Sequence, residues 1–87
     1  MTMYLVERTL PGLTVADLAE AQLALVASCA RLSARGSRVR YLRSLLVPGR
    51  GRCLCLFEAG AAELVARAND TAQFPFTRID EVVDLQP

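Results

Sequence analysis

Histidine is missing altogether from the 87 residues. With it go His-based catalytic triads and His-rich metal centres, which rely on an imidazole as base or ligand. An excess of one charge is missing too: ten Lys and Arg against nine Asp and Glu leave a net +1. That is far from the basic surplus that neutralises phosphates along a nucleic acid. The stretch Arg52-Cys53-Leu54-Cys55-Leu56-Phe57 offers one aromatic, too few for a sheet on which RNA bases stack. There is no glycine-rich phosphate loop, and no apolar run approaches the ~18 residues of a membrane span. The amino terminus carries no basic stretch leading into an apolar core and a small-residue cleavage site. The expectation is a soluble cytoplasmic protein with neither nucleic acid nor membrane as a partner. Three cysteines do not make a disulfide framework. Cys53 and Cys55 stand two apart on a predicted strand, their Cα atoms roughly 6.5 to 7 Å apart and their side chains parallel. Cys29 falls inside a predicted helix, so reduced, buried thiols are expected.

What is present is apolar. Hydrophobic residues make up 53% of the chain and charged ones 22%, with a mean hydropathy of +0.30. A single domain of this length, spanning residues 1–87, hides only roughly 60 to 65% of the surface its unfolded chain exposes. More apolar side chains are therefore supplied than one small core takes up, and self-association is the simplest outlet.

The order of signals is strand, helix, strand, strand, helix, strand. Residues 3–9 read as a strand closed by Pro11-Gly12. Thr14 is a helix cap with Asp17 three residues on, a variant capping box. Val15, Leu18, Leu25, Val26, Cys29 and Leu32 then recur on one side and Asp17, Glu20, Arg31 and Arg35 on another, and Gly36 ends the helix. Residues 38–47 and 52–58 are rich in β formers and flank Pro48-Gly49-Arg50-Gly51, which predicts a hairpin. A symmetric register about that turn pairs Ser44 with Cys55, Leu46 with Cys53 and Leu42 with Phe57 on one face. It puts Tyr41, Arg43, Leu45, Leu54 and Leu56 on the other. A short helix over Ala61 to Asn69 and a last strand from Arg78 to about Leu85 complete the chain. This is an α+β, ferredoxin-like βαββαβ sandwich, an antiparallel sheet with two helices on one face. Its other face is left bare, and pairing with a second copy into a dimeric α/β barrel would cover it.

Candidate chemistry gathers on the strands. Glu7 is a carboxylate among apolar neighbours, and a desolvated carboxylate becomes a useful acid or base. Tyr41 and Arg43 on one hairpin face suit a carbonyl-bearing or anionic ligand. These three are the candidate catalytic residues. Tyr4, Ser44, Cys53, Cys55 and Phe57 are candidate ligand-binding residues lining a wall. Glu7 and Tyr4 are three apart on a strand and point oppositely. No metal ligands are assigned.

The segments Tyr4-Leu5-Val6-Glu7-Arg8, Pro11-Gly12, Val39 through Ser44, Cys55-Leu56-Phe57-Glu58-Ala59, Phe74-Pro75 and Ile79 through Val82 together resemble the nickel-binding-protein-like family of small bacterial domains. The resemblance implies a ferredoxin-like fold, dimers, and a possible role for nickel. It also implies histidines where this chain has Arg43 and Ala68, both of which are missing. The expectation is a homodimeric barrel binding a small organic molecule, extending to cofactor-free acid/base cyclisation or isomerisation. The alternative is a nickel-binding or metal-responsive protein without catalysis.

Overall fold

The computed structural model describes residues 1–87. Its elements are β1 (Thr2–Thr9), α1 (Val15–Ala34), β2 (Val39–Val47), β3 (Arg52–Ala59), α2 (Ala62–Thr71) and β4 (Arg78–Val82). The strands form one antiparallel sheet in the order β2-β3-β1-β4, and both helices lie on one face of it. The expected ferredoxin-like βαββαβ fold is the fold observed.

Each helix starts and stops for local reasons. The Thr14 hydroxyl accepts from Asp17 N–H and the Asp17 carboxylate accepts from Thr14 N–H, both at 3.1 Å, a reciprocal box that satisfies two end donors of α1. At the other end Gly36 takes φ +92°, Gly36 N–H donates to Ser33 C=O and Ser37 N–H donates to Leu32 C=O, each at 3.0 Å. This paired closure needs a left-handed residue, and glycine enters that region without a Cβ penalty. Leu18, Leu25, Ser28, Cys29 and Leu32 form the buried stripe of α1. Val15 and Val26, expected on that stripe, are 72% and 54% exposed. They lie at its margins, beyond the width of sheet the helix covers.

The strands alternate cleanly. Tyr4, Val6 and Arg8 on β1 and Cys53, Cys55, Phe57 and Ala59 on β3 point beneath the helices. Met3, Leu5 and Glu7, with Leu54, Leu56 and Glu58, take the open face. The symmetric hairpin register holds from Leu46–Cys53 to Arg43–Leu56 and then slips by one residue, so that Tyr41, not Leu42, stands opposite Phe57. A bulge between Tyr41 and Arg43 absorbs Leu42 and turns Tyr41 to the helix side. The last strand stops at Val82 rather than Leu85, where its ladder with β1 ends at the Met3–Val82 pair.

The β2–β3 turn is pinned from outside. Leu10 N–H donates to Gly51 C=O at 2.8 Å, and Gly51 sits at φ +63° with the Leu10 carbonyl lying where a Cβ would be. Gly51→Ala is expected to cost about 2–3 kcal/mol in urea denaturation, combining a left-handed backbone with a contact to main chain that cannot swing aside.

Candidate functional site

The two faces of the sheet carry different chemistry, and they divide the predicted residues between them. Glu7 and Arg43 stand on the open face. Tyr4, Tyr41, Ser44, Cys53, Cys55 and Phe57 stand on the helix-covered face. The grouping of Glu7, Tyr41 and Arg43 is therefore not realised: the bulge at Leu42 puts Tyr41 and Arg43 on opposite sides of the sheet.

On the open face, Met3, Leu5, Leu45, Leu54, Leu56 and Val82 make an apolar field, with Leu45 60% exposed. Glu7 lies at one end of it. One of its oxygens accepts from Arg52 Nε at 2.9 Å and the other faces Arg78 Nε at 3.6 Å, so both are engaged by guanidinium groups. Arg40 and Glu58 pair at the other end, 3.7 Å apart. Arg43 belongs to no ion pair. It borders a groove of about 220 Å³ with Met3, Leu5, Leu56, Val82 and Asp84.

Under the helices is a polar cluster in which Arg8 is the unexpected member. Its side chain is fully buried. Nη1 donates to Phe74 C=O at 3.0 Å and Nη2 to Asn69 Oδ1 at 2.7 Å, and the guanidinium lies 3.7 Å over the Phe74 ring. Nε has no hydrogen-bond partner, and none of the four ion pairs includes Arg8. Asn69 is itself fixed, its Nδ2 donating to Val65 C=O at 2.8 Å. Arg8 is directly opposite Cys53 on the neighbouring strand, with Val6 opposite Cys55.

The sulfurs of Cys53 and Cys55 are 3.6 Å apart, both side chains fully buried. From Cys55 a chain of hydroxyls runs outward: Ser44 Oγ at 2.8 Å, the Tyr41 hydroxyl a further 2.7 Å on, and Gln22 Nε2 donating to that hydroxyl at 2.7 Å. Phe57 is packing: its ring meets Tyr41 at a centroid distance of 5.3 Å. Tyr4 is also core, 7% exposed.

The electrostatics follow from this arrangement. The hydrogen bond from Cys53 holds the Cys55 thiol down to about 6, Ser44 and the Arg8 guanidinium act in the same direction, and burial opposes them. The same contact and burial push Cys53 up. Burial alone pushes up Cys29 and is the leading cause for Tyr41. Arg8 is lowered by burial, with the two thiols working against that. The two thiols are thus shifted in opposite directions, Cys55 down and Cys53 up, so Cys55 is the one of the pair that gives up its proton first.

Cys55 ties this titration to folding. Folding lowers its pKa from an ordinary ~8.5 to about 6, so its contribution to stability is complete above the unfolded value and disappears as pH falls through the folded one. In urea denaturation the advantage of the native chain over Cys55→Ser is expected to shrink steadily between pH 9 and pH 6. A gap independent of pH would contradict a buried thiolate.

A small antiparallel α+β domain with one bare sheet face and a buried dithiol beside a lone guanidinium is the class that fold and site define. Residues 4–82 match the family described as nickel responsive protein SCO4226-like, and the chain belongs to that family. It is similar in structure to SCO4226 from Streptomyces coelicolor A3(2), with a TM-score of 0.80 and 24% identity over 97% of this chain and 99% of that one. No curated protein matches the chain.

The residues present do not fit nickel(II). No group of three or more His, Cys, Asp or Glu side chains comes together, and nickel(II) favours several nitrogen or oxygen donors in a tetragonal or octahedral set. Positions 43 and 68, where the family resemblance implies histidine, are an exposed residue on the open face and a buried one in α2, so they do not converge within one copy.

Proposed function

We propose that the chain works as a homodimer whose two open sheet faces pack together and enclose a chamber for a small, largely apolar organic anion. The observation that carries this reading is the apolar field of Met3, Leu5, Leu45, Leu54, Leu56 and Val82 with the unpaired Arg43 at its side. Four strands ~4.8 Å apart and five to nine residues long give a face of roughly 400 to 500 Å². With its pleats and side chains this is of the order of one partner's share of a standard interface. Charge selects the orientation. Arg40 is paired with Glu58 and Asp80 with Arg78, which leaves Arg43 on the β2 side and Asp84, just past β4, as the charges of the face outside any ion pair. A two-fold axis along the strands sets Arg43 of one copy over the Asp84 side of the other, which like-on-like pairing does not.

Two grooves of about 220 Å³ brought face to face reach the several hundred Å³ typical of small-molecule sites. Arg43 is then the forked donor for a carboxylate or enolate oxygen. Glu7 closes the rim. Its oxygens are occupied by Arg52 and Arg78, so ligand binding is better supported than proton transfer by this carboxylate. Tyr41, which belongs to the buried relay, has no part in this chamber.

The test uses the aromatic sulfonate dye ANS as an apolar anion. Saturable fluorescence enhancement is expected in the wild type and at least tenfold weaker binding in Arg43→Ala, with the same sedimentation for both. Dye binding indifferent to Arg43 overturns the reading. The family description favours nickel as a second reading, so tag-free protein is also titrated calorimetrically with nickel(II). No micromolar binding is expected, and binding lost on changing Glu or Cys residues would restore the metal role.

A further inference from the structure

The flank of α1 beside β2 carries apolar surface that neither the core nor the open face uses. Leu23 and Val26 are 73% and 54% exposed. With Ala30 and Ser33 they follow one another at intervals of three or four residues, so the four share one stripe of the helix. At 1.5 Å per residue that stripe is about 15 Å long. Along it Val26, Cys29, Ala30, Val39 and Tyr41 line a groove of about 220 Å³ between α1 and the edge strand β2. Cys29 and Val39, its floor, are buried. The groove runs into a second one of about 510 Å³ that holds Arg38, Arg40 and Glu58, the two sharing Ser33, Val39 and Arg40. One channel therefore has an apolar body and a basic end.

Two observations decide what fits it. Charge is the first. Between Glu20 and Glu58 the chain has seven arginines and no acidic residue, so a near-neutral total conceals a strongly basic half. Arg31 and Arg35 lie in and just past the last turn of α1, where they offset the helix dipole. Arg38 and Arg40 lie beyond it. Glu58 holds Arg40 at 3.7 Å, and Arg38 belongs to none of the four ion pairs.

The second is the state of the β2 edge. The Ser33 hydroxyl accepts from Val39 N–H at 3.2 Å and donates to Val39 C=O at 3.0 Å. Both main-chain groups through which a peptide strand would join the edge here are already taken up. What the channel still offers is apolar wall and guanidinium.

We propose that this channel binds a free single-chain amphiphilic anion, its alkyl chain between α1 and β2 and its carboxylate on Arg38. The planar guanidinium holds a carboxylate through two parallel N–H···O bonds, and the chain covers Val26 and Ala30. The site is built from one subunit and does not depend on the pairing of open faces.

The probe is sodium decanoate, kept below its micelle concentration, titrated into isotope-labelled full-length protein and followed amide by amide by NMR. Saturable shifts are expected at Val26, Ala30, Ser33, Val39 and Tyr41. Octanoate, two methylenes shorter, is expected to bind about 15-fold more weakly, since each buried methylene is worth about fourfold in affinity. Arg38→Ala is expected to weaken decanoate about tenfold. Ala30→Trp, at an exposed helix position, is expected to remove the shifts by filling the groove while the fold stays intact. Arg43→Ala, which tests the chamber, is expected to leave them unchanged, so either site can fail without the other. An absence of saturable shifts, shifts confined to the open face around Leu5 and Leu56, equal affinity for octanoate and decanoate, or an Arg38→Ala affinity equal to wild type each overturns the proposal. So does protein that ignores decanoate yet sediments with vesicles of anionic phospholipid, because the groove then answers to a membrane surface.

Discussion

Arg8→Ala is expected to lower the folding free energy by about 3–5 kcal/mol, read as a shifted urea midpoint with an unchanged slope. The magnitude comes from what the substitution abandons. The Phe74 carbonyl and Asn69 Oδ1 lose their donors, at 3.0 and 2.7 Å. The Phe74 ring loses a cation 3.7 Å from its centre. Each unsatisfied buried polar group costs about 1–3 kcal/mol, and the emptied volume adds to that. A domain of this size has only about 5–10 kcal/mol in hand, so about half of its stability depends on this one side chain. Arg40 and Arg52, exposed arginines in ion pairs on the same sheet, are the contrast. Their replacement by alanine is expected to cost about 0–1 kcal/mol. A loss below 1 kcal/mol for Arg8→Ala would mean that its guanidinium reaches water.

Leu54→Glu is expected to abolish self-association while leaving the fold intact. Leu54 lies on the open face between Leu45 and Glu7, away from the core cluster, so the isolated subunit gives up little by the change. In the paired state two new carboxylates, one from each copy, must be stripped of water within the apolar field, each beside Glu7. At about 2 kcal/mol for each central anchor the dissociation constant rises roughly 10³-fold. Circular dichroism is expected to be unchanged and the sedimenting mass to fall. An unaltered mass would place the contact elsewhere, for instance on the exposed Val15, Leu23 and Val26 of α1.

The legibility of these features in the sequence tracks how local their causes are. The capping box of Thr14 and Asp17, the closure at Gly36 and the turn at Pro48 to Gly51 are written in neighbouring residues, and the elements they bound are all present. The hairpin register held wherever it depended only on distance from the turn. It failed at Leu42, because that bulge has no glycine or proline to announce it and reflects how Tyr41 packs on Phe57 and reaches Gln22. Tyr41 and Arg43 then moved to opposite faces, and with them went the expected catalytic grouping.

Arg8 was hidden for a different reason. In Tyr4-Leu5-Val6-Glu7-Arg8 both alternating faces carry apolar residues and a charge, so nothing local says which charge is buried. Asn69 and Phe74, which decide it, are 61 and 66 residues away. The spacing of Cys53 and Cys55 correctly placed two parallel thiols in the core.

Sedimentation velocity of the unmodified chain across a hundredfold range of concentration tests the face-to-face assembly most directly. The account predicts a single species of twice 9.5 kDa that persists into the low micromolar range. A 9.5 kDa species at every concentration, with Leu54→Glu indistinguishable from it, would contradict the pairing and the chamber that depends on it.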